Sequence, residues 1–252
     1  MIKYYNGDCL EVMKELPDSY IDLCISSPPY NIYKKYNTYK DNRLDYIDWQ
    51  IEVWNTVCKK LKDNGHLFLN IQPTRNNYFM PFEIVSNLEW QVQNIFIWNK
   101  SLLIDGYVKG QSFAPRSNRY IANGWEYVFH ITKEGNTDID QKTSEVPYNP
   151  KWAKQNQKRY GYTHRPTVNS WFIPYETVSK STVNKLKGNK KHPAIFPKQL
   201  VEQCIKISSL QSGIILDNFM GTGTTGLVAK ELGFDFIGIE IDKDYYEFAK
   251  GR

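Results

Sequence analysis

The sequence has few residues that could form disulfides or bind zinc. Its 252 residues include four cysteines and four histidines, and no two cysteines have the Cys-x-x-Cys spacing. This scatter argues against a disulfide framework and against a structural zinc site. We therefore expect free thiols, imidazoles with mostly structural roles, and no bound metal.

Long apolar runs are also absent from the sequence. A transmembrane helix would need about 18 consecutive apolar residues, and no such run occurs. The first residues, Met1–Tyr5, lack the apolar core of a secretion signal. These absences predict a soluble, cytoplasmic protein. With 41% apolar residues the chain can bury one good core, and its length suits a single α/β domain.

The basic residues are concentrated in one segment. The whole chain has a net charge of +5, yet residues 142–191 hold eleven Lys or Arg against two Glu, so the rest of the chain sums to −4. Cations interleaved with aromatic side chains suit contact with phosphates and with bases or sugars. We expect Trp171–Pro174 to serve packing instead. The aromatic residues of the segment are Tyr148, Trp152, Tyr160, Tyr162, Trp171, Phe172 and Tyr175.

Strand and helix patterns alternate along most of the chain. A continuous apolar run such as Ile21–Ser26 is typical of a strand buried on both faces. The alternation predicts an α/β fold with a mostly parallel sheet and helices on both faces. Between Lys133 and Pro197 no periodicity is found. The predicted strands are Ile2–Tyr5, Ile21–Ser26, His66–Ile71, Gln91–Trp98, Glu126–Thr132, Gly213–Asp217 and Asp235–Glu240, and the predicted helices are Cys9–Leu16, Tyr46–Leu61, Pro197–Ser208, Thr222–Leu232 and Lys243–Lys250.

The predicted strand that ends at Asp217 leads into a glycine-rich turn. Gly221-x-Gly223-x-x-Gly226 matches a nucleotide-binding fingerprint, and Glu240 lies 19 positions after Gly221, where an acid can bind ribose hydroxyls. The pattern leaves a dinucleotide-dependent oxidoreductase open. Asp217 favours S-adenosylmethionine, because its carboxylate can accept from an α-amino group but would repel a pyrophosphate. No lysine follows Gly226, as a Walker loop would require.

A second motif, Ser27-Pro28-Pro29-Tyr30, follows the buried strand Ile21–Ser26. Methylating an exocyclic amine requires drawing its nitrogen toward tetrahedral geometry, because the lone pair is delocalised into the ring. The Ser27 hydroxyl and the Pro28 carbonyl can accept hydrogen bonds from the N–H groups. The Pro28-Pro29 pair stiffens the loop and removes competing donors. Tyr30 offers a ring for stacking on a base rotated out of the duplex.

Together the two motifs resemble those of the amino-methylating DNA methyltransferases of restriction-modification systems, in the permuted, beta-class order with catalysis first. The resemblance implies a Rossmann-like S-adenosylmethionine-dependent fold, base flipping and direct methyl transfer to an exocyclic nitrogen. It divides the chain into a catalytic part (1–133), a target-recognition region (134–191) and a cofactor-binding part (192–252). A carbon-5 cytosine methyltransferase would need a Pro-Cys pair, which the sequence lacks.

The resemblance also implies residue roles. Asp8 would bind the cofactor adenine, Cys9 would line its pocket, and His192 and Phe196 would close over the methionine end. The implied catalytic residues are Ser27, Pro28, Pro29 and Tyr30. The implied cofactor-binding residues are Asp8, Cys9, His192, Phe196, Asp217, Phe219, Gly221, Gly223, Thr224, Thr225 and Glu240.

Double-stranded DNA is the expected partner. The segment Tyr33–Lys40 directly follows the catalytic motif and would close over the substrate strand. The resemblance further implies a monomer or homodimer, and a restriction endonuclease that acts in the same system without a stable complex. The predicted DNA-binding residues are Lys34, Lys35, Arg116, Arg119, Lys151, Lys154, Lys158, Arg159 and Arg165.

Two residues bear on the target base. Relatives that act on adenine more often have Asp at the position of Ser27 and Lys at the position of Phe196. The sequence therefore favours N4-methylcytosine, with N6-methyladenine as the alternative. An RNA or protein methyltransferase and a catalytically silent DNA-binding relative also stay open, although the intact Ser27–Tyr30 motif argues against silence.

Overall fold

The protein folds around one large sheet, seen here in a computed structural model. The structure describes residues 1–33, 41–105, 107–110, 118, 119, 121, 123–143, 147–161, 164–175 and 196–252. The strands are β1 (Ile2–Asn6), β2 (Ile21–Ser26), β3 (Leu61–Ile71), β4 (Gln91–Asn99), β5 (Ser101–Ile104), β6 (Tyr107–Gly110), β7 (Trp125–Thr132), β8 (Ser170–Phe172), β9 (Ile214–Asp217) and β10 (Asp235–Glu240). The helices are α1 (Cys9–Lys14), α2 (Tyr46–Lys60), α3 (Met80–Val85), α4 (Pro150–Tyr160), α5 (Lys198–Ile207), α6 (Thr224–Glu231) and α7 (Lys243–Lys250).

The eight-stranded sheet has the order β1-β10-β9-β2-β3-β7-β4-β8, and β5 pairs with β6 apart from it. The first five strands of that order are mutually parallel. Strand β7 runs antiparallel to both of its neighbours, and β8 runs parallel to β4. This arrangement confirms the predicted α/β fold with a mostly parallel sheet. It also brings the carboxyl ends of β1, β10, β9, β2 and β3 to one edge, where such sheets bind ligands.

Each face of the sheet packs against its own helices. Helices α1, α2 and α3 contribute to one apolar cluster, and α5, α6 and α7 contribute to the other. Successive residues of β2 alternate between them, with Cys24 in the first cluster and Leu23 and Ile25 in the second.

All four cysteines are buried and free. No helix in the described part of the chain is both long and apolar enough to span a membrane.

The sequence prediction was right for all twelve predicted elements and missed several others. Strand β3 begins at Leu61 rather than His66, since Leu61 pairs with Ile21 before a shift in register. Helix α4 was missed because none of its residues is buried, so no apolar periodicity marks it. The other elements without a prediction are α3, β5, β6, β8 and the short 3-10 helix Gln141–Thr143.

Candidate active site

The predicted cofactor and catalytic motifs meet at the carboxyl edge of the sheet. Strands β9 and β2 are neighbours, and their last residues are joined by a side-chain hydrogen bond: Ser26 Oγ donates to Asp217 Oδ1 at 2.6 Å. On the other side of β9, the end of β10 brings Glu240 beside Asn6 of β1. Segments separated by about the whole chain length therefore form one site.

Asp217 is a buried carboxylate held by neutral donors. It is 2% exposed, and it accepts from Ser26 Oγ at 2.6 Å, Thr225 Oγ1 at 2.7 Å and the Phe219 amide at 3.1 Å. Burial raises the pKa of Asp217 to about 6, although these hydrogen bonds oppose the rise. A carboxylate has about four lone-pair positions. Asp217 therefore keeps about one position for a ligand.

Glu240 is the second carboxylate of the edge, and it is less occupied. Its Oε2 accepts from the Gly221 amide and its Oε1 from the Asp242 amide, both at 2.8 Å. Burial raises the pKa of Glu240 to about 7, while the two amides lower it. About two lone-pair positions stay open. Among the described residues, no lysine or arginine forms an ion pair with Glu240 or Asp217.

Close packing around the turn requires glycine at two of its positions. Gly223 has a φ of +77°, and a Cβ there would lie 2.7 Å from the Cβ of Ala249. At Gly226 a Cβ would lie 2.6 Å from the ring of Phe236, so only glycine lets α6 approach β10. Gly221 contributes its amide to Glu240, as described above.

Two polar atoms of the turn lack partners. Thr224 Oγ1 and Asn218 Nδ2 are buried, with no hydrogen bond to the described residues. Buried polar groups are normally satisfied, so a polar ligand at the turn can supply the partners that these two atoms lack. Thr225, the next residue of α6, differs because it bonds to Asp217. The turn can thus supply a donor and an acceptor to a nucleoside or amino-acid group.

The remaining predicted cofactor residues have different surroundings. Exposed Asp8 caps α1 by accepting from the Leu10 amide at 2.9 Å and the Glu11 amide at 3.3 Å. Burial raises the pKa of the Cys9 thiol to about 12. The ring of Phe219 lies edge-on to Trp49 and Trp54, with centroids 5.9 Å away in both cases. Phe196 is half-buried beside the second cluster, and His192 lies outside the described residues.

Ser27 and Tyr30 belong to a buried polar network. The Ser27 Oγ and the Tyr30 hydroxyl are 2.8 Å apart, and the Tyr30 hydroxyl donates to Glu126 Oε2 at 2.8 Å. Glu126 also accepts from Lys100 Nζ at 2.6 Å. Burial raises the pKa of Tyr30 well above its ordinary value, and the Glu126 charge adds to this. Only 8% of Tyr30 is exposed, so its stacking on a base stays a prediction.

The prolines of the motif are held from α2. The Tyr46 hydroxyl donates to the Pro29 carbonyl at 2.6 Å. Pro28 is buried and Pro29 is half-buried. Just beyond the motif, the Asp41 carboxylate accepts from the Asn31 amide at 2.7 Å and the Ile32 amide at 3.0 Å. Lys34 and Lys35, with most of the segment Tyr33–Lys40, lie outside the described residues.

Sequence reasoning missed Lys100, Glu126 and Asn70, whose Oδ1 lies 3.1 Å from the Tyr30 hydroxyl. Glu126 lies in the predicted strand Glu126–Thr132, and Lys100 follows the predicted strand Gln91–Trp98 by two residues. A charged residue at the end of an apolar strand is the sequence feature that could have indicated Lys100 and Glu126. Their pairing, however, depends on the register of β4 and β7, in which Trp98 lies opposite Glu126. No local pattern contains that register.

Four predicted DNA-binding cations lie together on α4, namely Lys151, Lys154, Lys158 and Arg159. The helix is capped by the Asn149 side chain and ends at Gly161 with a φ of +73°. Its aromatic residues are also exposed, Trp152 by 51% and Tyr160 by 52%. Arg119 and Arg165 are exposed elsewhere, and Arg116 lies outside the described residues.

The expected packing role of the next segment is found for part of it. Trp171 and Ile173 are each 5% exposed, and the Trp171 ring stacks on Phe96 with centroids 4.3 Å apart. Phe172 is 65% exposed. Residues 170–172 form β8, which places this part of the predicted target-recognition region on the main sheet.

Comparisons with known proteins agree with this geometry. Residues 21–251 match the N6/N4 methyltransferase family, described as DNA methylase. The type II methyltransferase M.ScaI of Streptomyces caespitosus is 31% identical over 260 residues, which cover 98% of this chain and 80% of M.ScaI.

Two solved structures share the fold. The PvuII DNA methyltransferase (cytosine-N4-specific) superposes with a TM-score of 0.73 at 21% identity, over 99% of this chain and 85% of its own. TTHA0409 of Thermus thermophilus, solved in complex with S-adenosyl-L-methionine, superposes with a TM-score of 0.65 at 22% identity, over 100% of this chain and 93% of its own.

Proposed function

Because the chain belongs to the N6/N4 DNA methylase family, we propose that it transfers a methyl group from S-adenosylmethionine to the exocyclic N4 of cytosine in a specific DNA sequence. The observation that carries the proposal is the Ser26–Asp217 hydrogen bond of 2.6 Å, which joins the catalytic motif to the cofactor motif at one edge of the sheet. The target base would be rotated out of the duplex to reach Ser27.

The residues of the edge fit the cofactor. S-adenosylmethionine supplies an electrophilic methyl group on a sulfonium and carries ribose hydroxyls and an α-amino group. Glu240 has two open acceptor positions for the hydroxyls, and Asp217 has one for the amino group. Thr224 Oγ1 and Asn218 Nδ2 are buried and need polar partners. The absence of a cation on either acid, within the described ranges, suits a cationic ligand.

Ser27 and Pro28 would prepare the target nitrogen. Accepting hydrogen bonds from both N–H groups pulls the nitrogen toward tetrahedral geometry and frees its lone pair for the methyl group. The Tyr46 hydroxyl on the Pro29 carbonyl keeps this loop in place. The nitrogen lone pair forms the new N–C bond as the S–C bond breaks, S-adenosylhomocysteine leaves, and the methylated nitrogen loses one proton to water. No covalent bond between protein and base is needed.

The choice of cytosine over adenine rests on Ser27 and Phe196, which resemble the cytosine-directed group. The PvuII enzyme, whose name states cytosine-N4 specificity, shares the fold. Cytosine N4 and adenine N6 are both amines beside a ring nitrogen, so N6-methyladenine is the alternative product.

Helix α4 would hold the duplex through its phosphates. Such an enzyme would work in the cytoplasm, as a monomer or homodimer, beside a restriction endonuclease that reads the same sequence.

Nucleoside mass spectrometry tests the proposal. The purified protein is incubated with S-adenosylmethionine and unmethylated genomic DNA, and the digested nucleosides are analysed. N4-methylcytosine that is lost in Ser27→Ala would support both product and role. N6-methyladenine alone would overturn the cytosine assignment. Methylation of RNA or protein but not of DNA would overturn the substrate.

A further inference from the structure

We propose that Glu126, held by Lys100, acts through the Tyr30 hydroxyl to turn Ser27 into a one-way hydrogen-bond acceptor for the target amine. Glu126, Lys100 and the Tyr30 hydroxyl are then positioning groups, and Ser27 is the residue that touches the base. The inference rests on the proposed amino-methyltransferase function. It concerns the residues that sequence reasoning missed.

The ion pair between Lys100 and Glu126 forms the end of the network that lies farthest from Ser27. Lys100 Nζ and Glu126 Oε1 are 2.6 Å apart, and their side chains are 4% and 9% exposed. Lys100 Nζ also lies 5.9 Å from the ring of Trp98 and 3.4 Å from Gln72 Oε1. A buried carboxylate paired with an ammonium group accepts hydrogen bonds and donates none. Glu126 is therefore the fixed acceptor of the network.

Each hydroxyl along the path has one proton, so the direction of every hydrogen bond follows. Tyr30 lies 2.8 Å from Glu126 Oε2 and must donate to it. The Ser27 Oγ lies 2.8 Å from the Tyr30 oxygen, which has no proton left, so Ser27 must donate to Tyr30. Both lone pairs of the Ser27 oxygen are then left to act as acceptors.

Asn70 supports the same direction. Its Nδ2 donates to the Tyr127 carbonyl at 2.9 Å, which leaves its Oδ1 facing the Tyr30 hydroxyl at 3.1 Å. Tyr30 thus meets a second acceptor instead of a donor. Polarised chains of this kind strengthen each bond in a buried site. The Ser27 oxygen should accept from an amine more strongly than an isolated serine would.

This directed arrangement changes the interpretation of Ser27. A serine hydroxyl can in general accept from the amine while donating its proton to the neighbouring ring nitrogen of the base. With its proton committed to Tyr30, Ser27 has none to donate. Selection between cytosine and adenine must then come from groups other than the Ser27 proton.

A double-mutant cycle tests the inference. In single-turnover methylation with tritiated S-adenosylmethionine, Glu126→Gln should slow the chemical step by about tenfold or more, since aligned polar groups at a reacting atom contribute up to 10²–10³-fold. Affinities for S-adenosylmethionine and DNA should stay unchanged. In a Ser27→Ala background, Glu126→Gln should add no further loss, because no hydroxyl is left to direct. Equal losses in both backgrounds would overturn the proposal.

Two further variants distinguish a role in directing the Ser27 hydrogen bond from a role in stabilising the fold. Lys100→Met combined with Glu126→Gln removes the unpaired buried charge at similar volume, so a purely structural role predicts recovery of the rate, whereas the directing role predicts none. Asp18→Asn breaks another ion pair, Lys60–Asp18, whose lysine side chain is 10% exposed, and should leave the rate unchanged. If Ser27→Ala falls below detection, the Lys100→Met/Glu126→Gln rate decides.

The proposed function and this inference can fail separately. If the wild-type protein leaves DNA unmethylated, the proposed function is wrong. If the wild-type protein methylates DNA but the cycle is additive, or the neutral double variant recovers, only the directing role is wrong.

Discussion

The carboxyl edge of the sheet contains two acidic regions that are built differently. In the parallel half, Asp217 and Glu240 are held only by hydroxyls and amides among the described residues. In the half where β7 runs antiparallel, Glu126 is paired with Lys100 at 2.6 Å. The first region keeps uncompensated negative charge, and the second neutralises its own.

Under the proposed function, the first region would bind the cofactor and the second would serve the chemical step. Burial without a cation raises the pKa of Asp217 to about 6 and that of Glu240 to about 7. The cationic cofactor of the proposed function would favour the charged forms of both acids. Glu126 already has its cation and can polarise neighbouring hydroxyls without needing a ligand. Variants in the two regions should therefore change different measured quantities.

The largest effect is expected at Ser27. Ser27→Ala removes the acceptor for the target amine and should lower kcat by about 100-fold or more, the usual scale for a group acting directly in the transition state. Cofactor affinity, measured by calorimetry, should be unchanged. Ser86→Ala, just after α3, serves as the control. A loss that lies in cofactor binding instead would break the separation between the regions.

The next effect is expected at Glu240. Glu240→Ala removes a charge-assisted acceptor and should weaken S-adenosylmethionine binding by about 1.5–3 kcal/mol. Asp217→Ala should weaken it similarly and also lower the melting temperature, because Ser26 and Thr225 lose their acceptor. The exposed Glu247→Ala is the matched control for calorimetry. Unchanged affinity in both variants would remove these acids from the cofactor site.

Lowering the pH should change the stability contributed by the two halves of the sheet in opposite directions. The buried pair His66 and His130, whose ring nitrogens are 2.9 Å apart, lies on β3 and β7, and burial lowers its pKa values to about 4 and about 3. Below pH 6.5 these imidazoles are protonated in the unfolded chain but stay neutral in the folded protein. The free energy of unfolding therefore decreases as pH falls. Glu240 does the reverse: from about pH 7 down to 4.5 the folded carboxyl takes up a proton that the unfolded one does not, so stability is gained.

Urea unfolding at about pH 7, 6 and 5 measures this opposition. Replacing one titrating imidazole, as in His130→Gln, should reduce the loss of stability between about pH 7 and 5 by about 1–2 kcal/mol relative to wild type. Glu240→Gln should increase that loss by a similar amount. Glu247→Gln, on the surface of α7, should change neither. If the free energy of unfolding changed with pH in the same way in all variants, the burial assigned to these histidines and to Glu240 would be contradicted.

The smallest effect per residue is expected on α4, outside both regions. Changing Lys154, Lys158 and Arg159 together to Ala should reduce the slope of log affinity against log salt by up to about 2.7, at about 0.9 for each lost phosphate contact. Cofactor affinity should not change. An unaltered salt slope would show that this face of α4 points away from DNA.

The parts predicted best from the sequence are those whose apolar pattern is complete. The bounds of β2, β10 and α7 agree with the prediction residue for residue. Their apolar patterns are dictated by local burial, which the sequence displays. Helix α4 could not be found in this way because every one of its residues meets solvent.

The site was predicted in the same uneven manner. Asp217, Glu240 and Ser27 end or directly follow strands, so their place at the sheet edge can be inferred from the chain alone. Glu126 and Lys100 come together only because β4 and β7 pair in one register, with Trp98 opposite Glu126. Such a pairing is a property of the assembled sheet. The hydrogen bonds of the Tyr30 hydroxyl to Asn70 and Glu126 could not be predicted for the same reason, since these partners lie on β3 and β7.

The hydrogen bond from Ser26 to Asp217 spans 191 residues, and that span has a consequence for synthesis. At about 5–20 residues per second, a ribosome delivers the end of β9 roughly 10–40 s after β2. Throughout that interval β2, a central strand, lacks one of its two neighbours and leaves an open edge. Long-range pairing of this kind is slow to form. A partly made chain therefore contains the serine motif without Asp217 and Glu240, and we expect it to methylate DNA only after its last strands have joined the sheet.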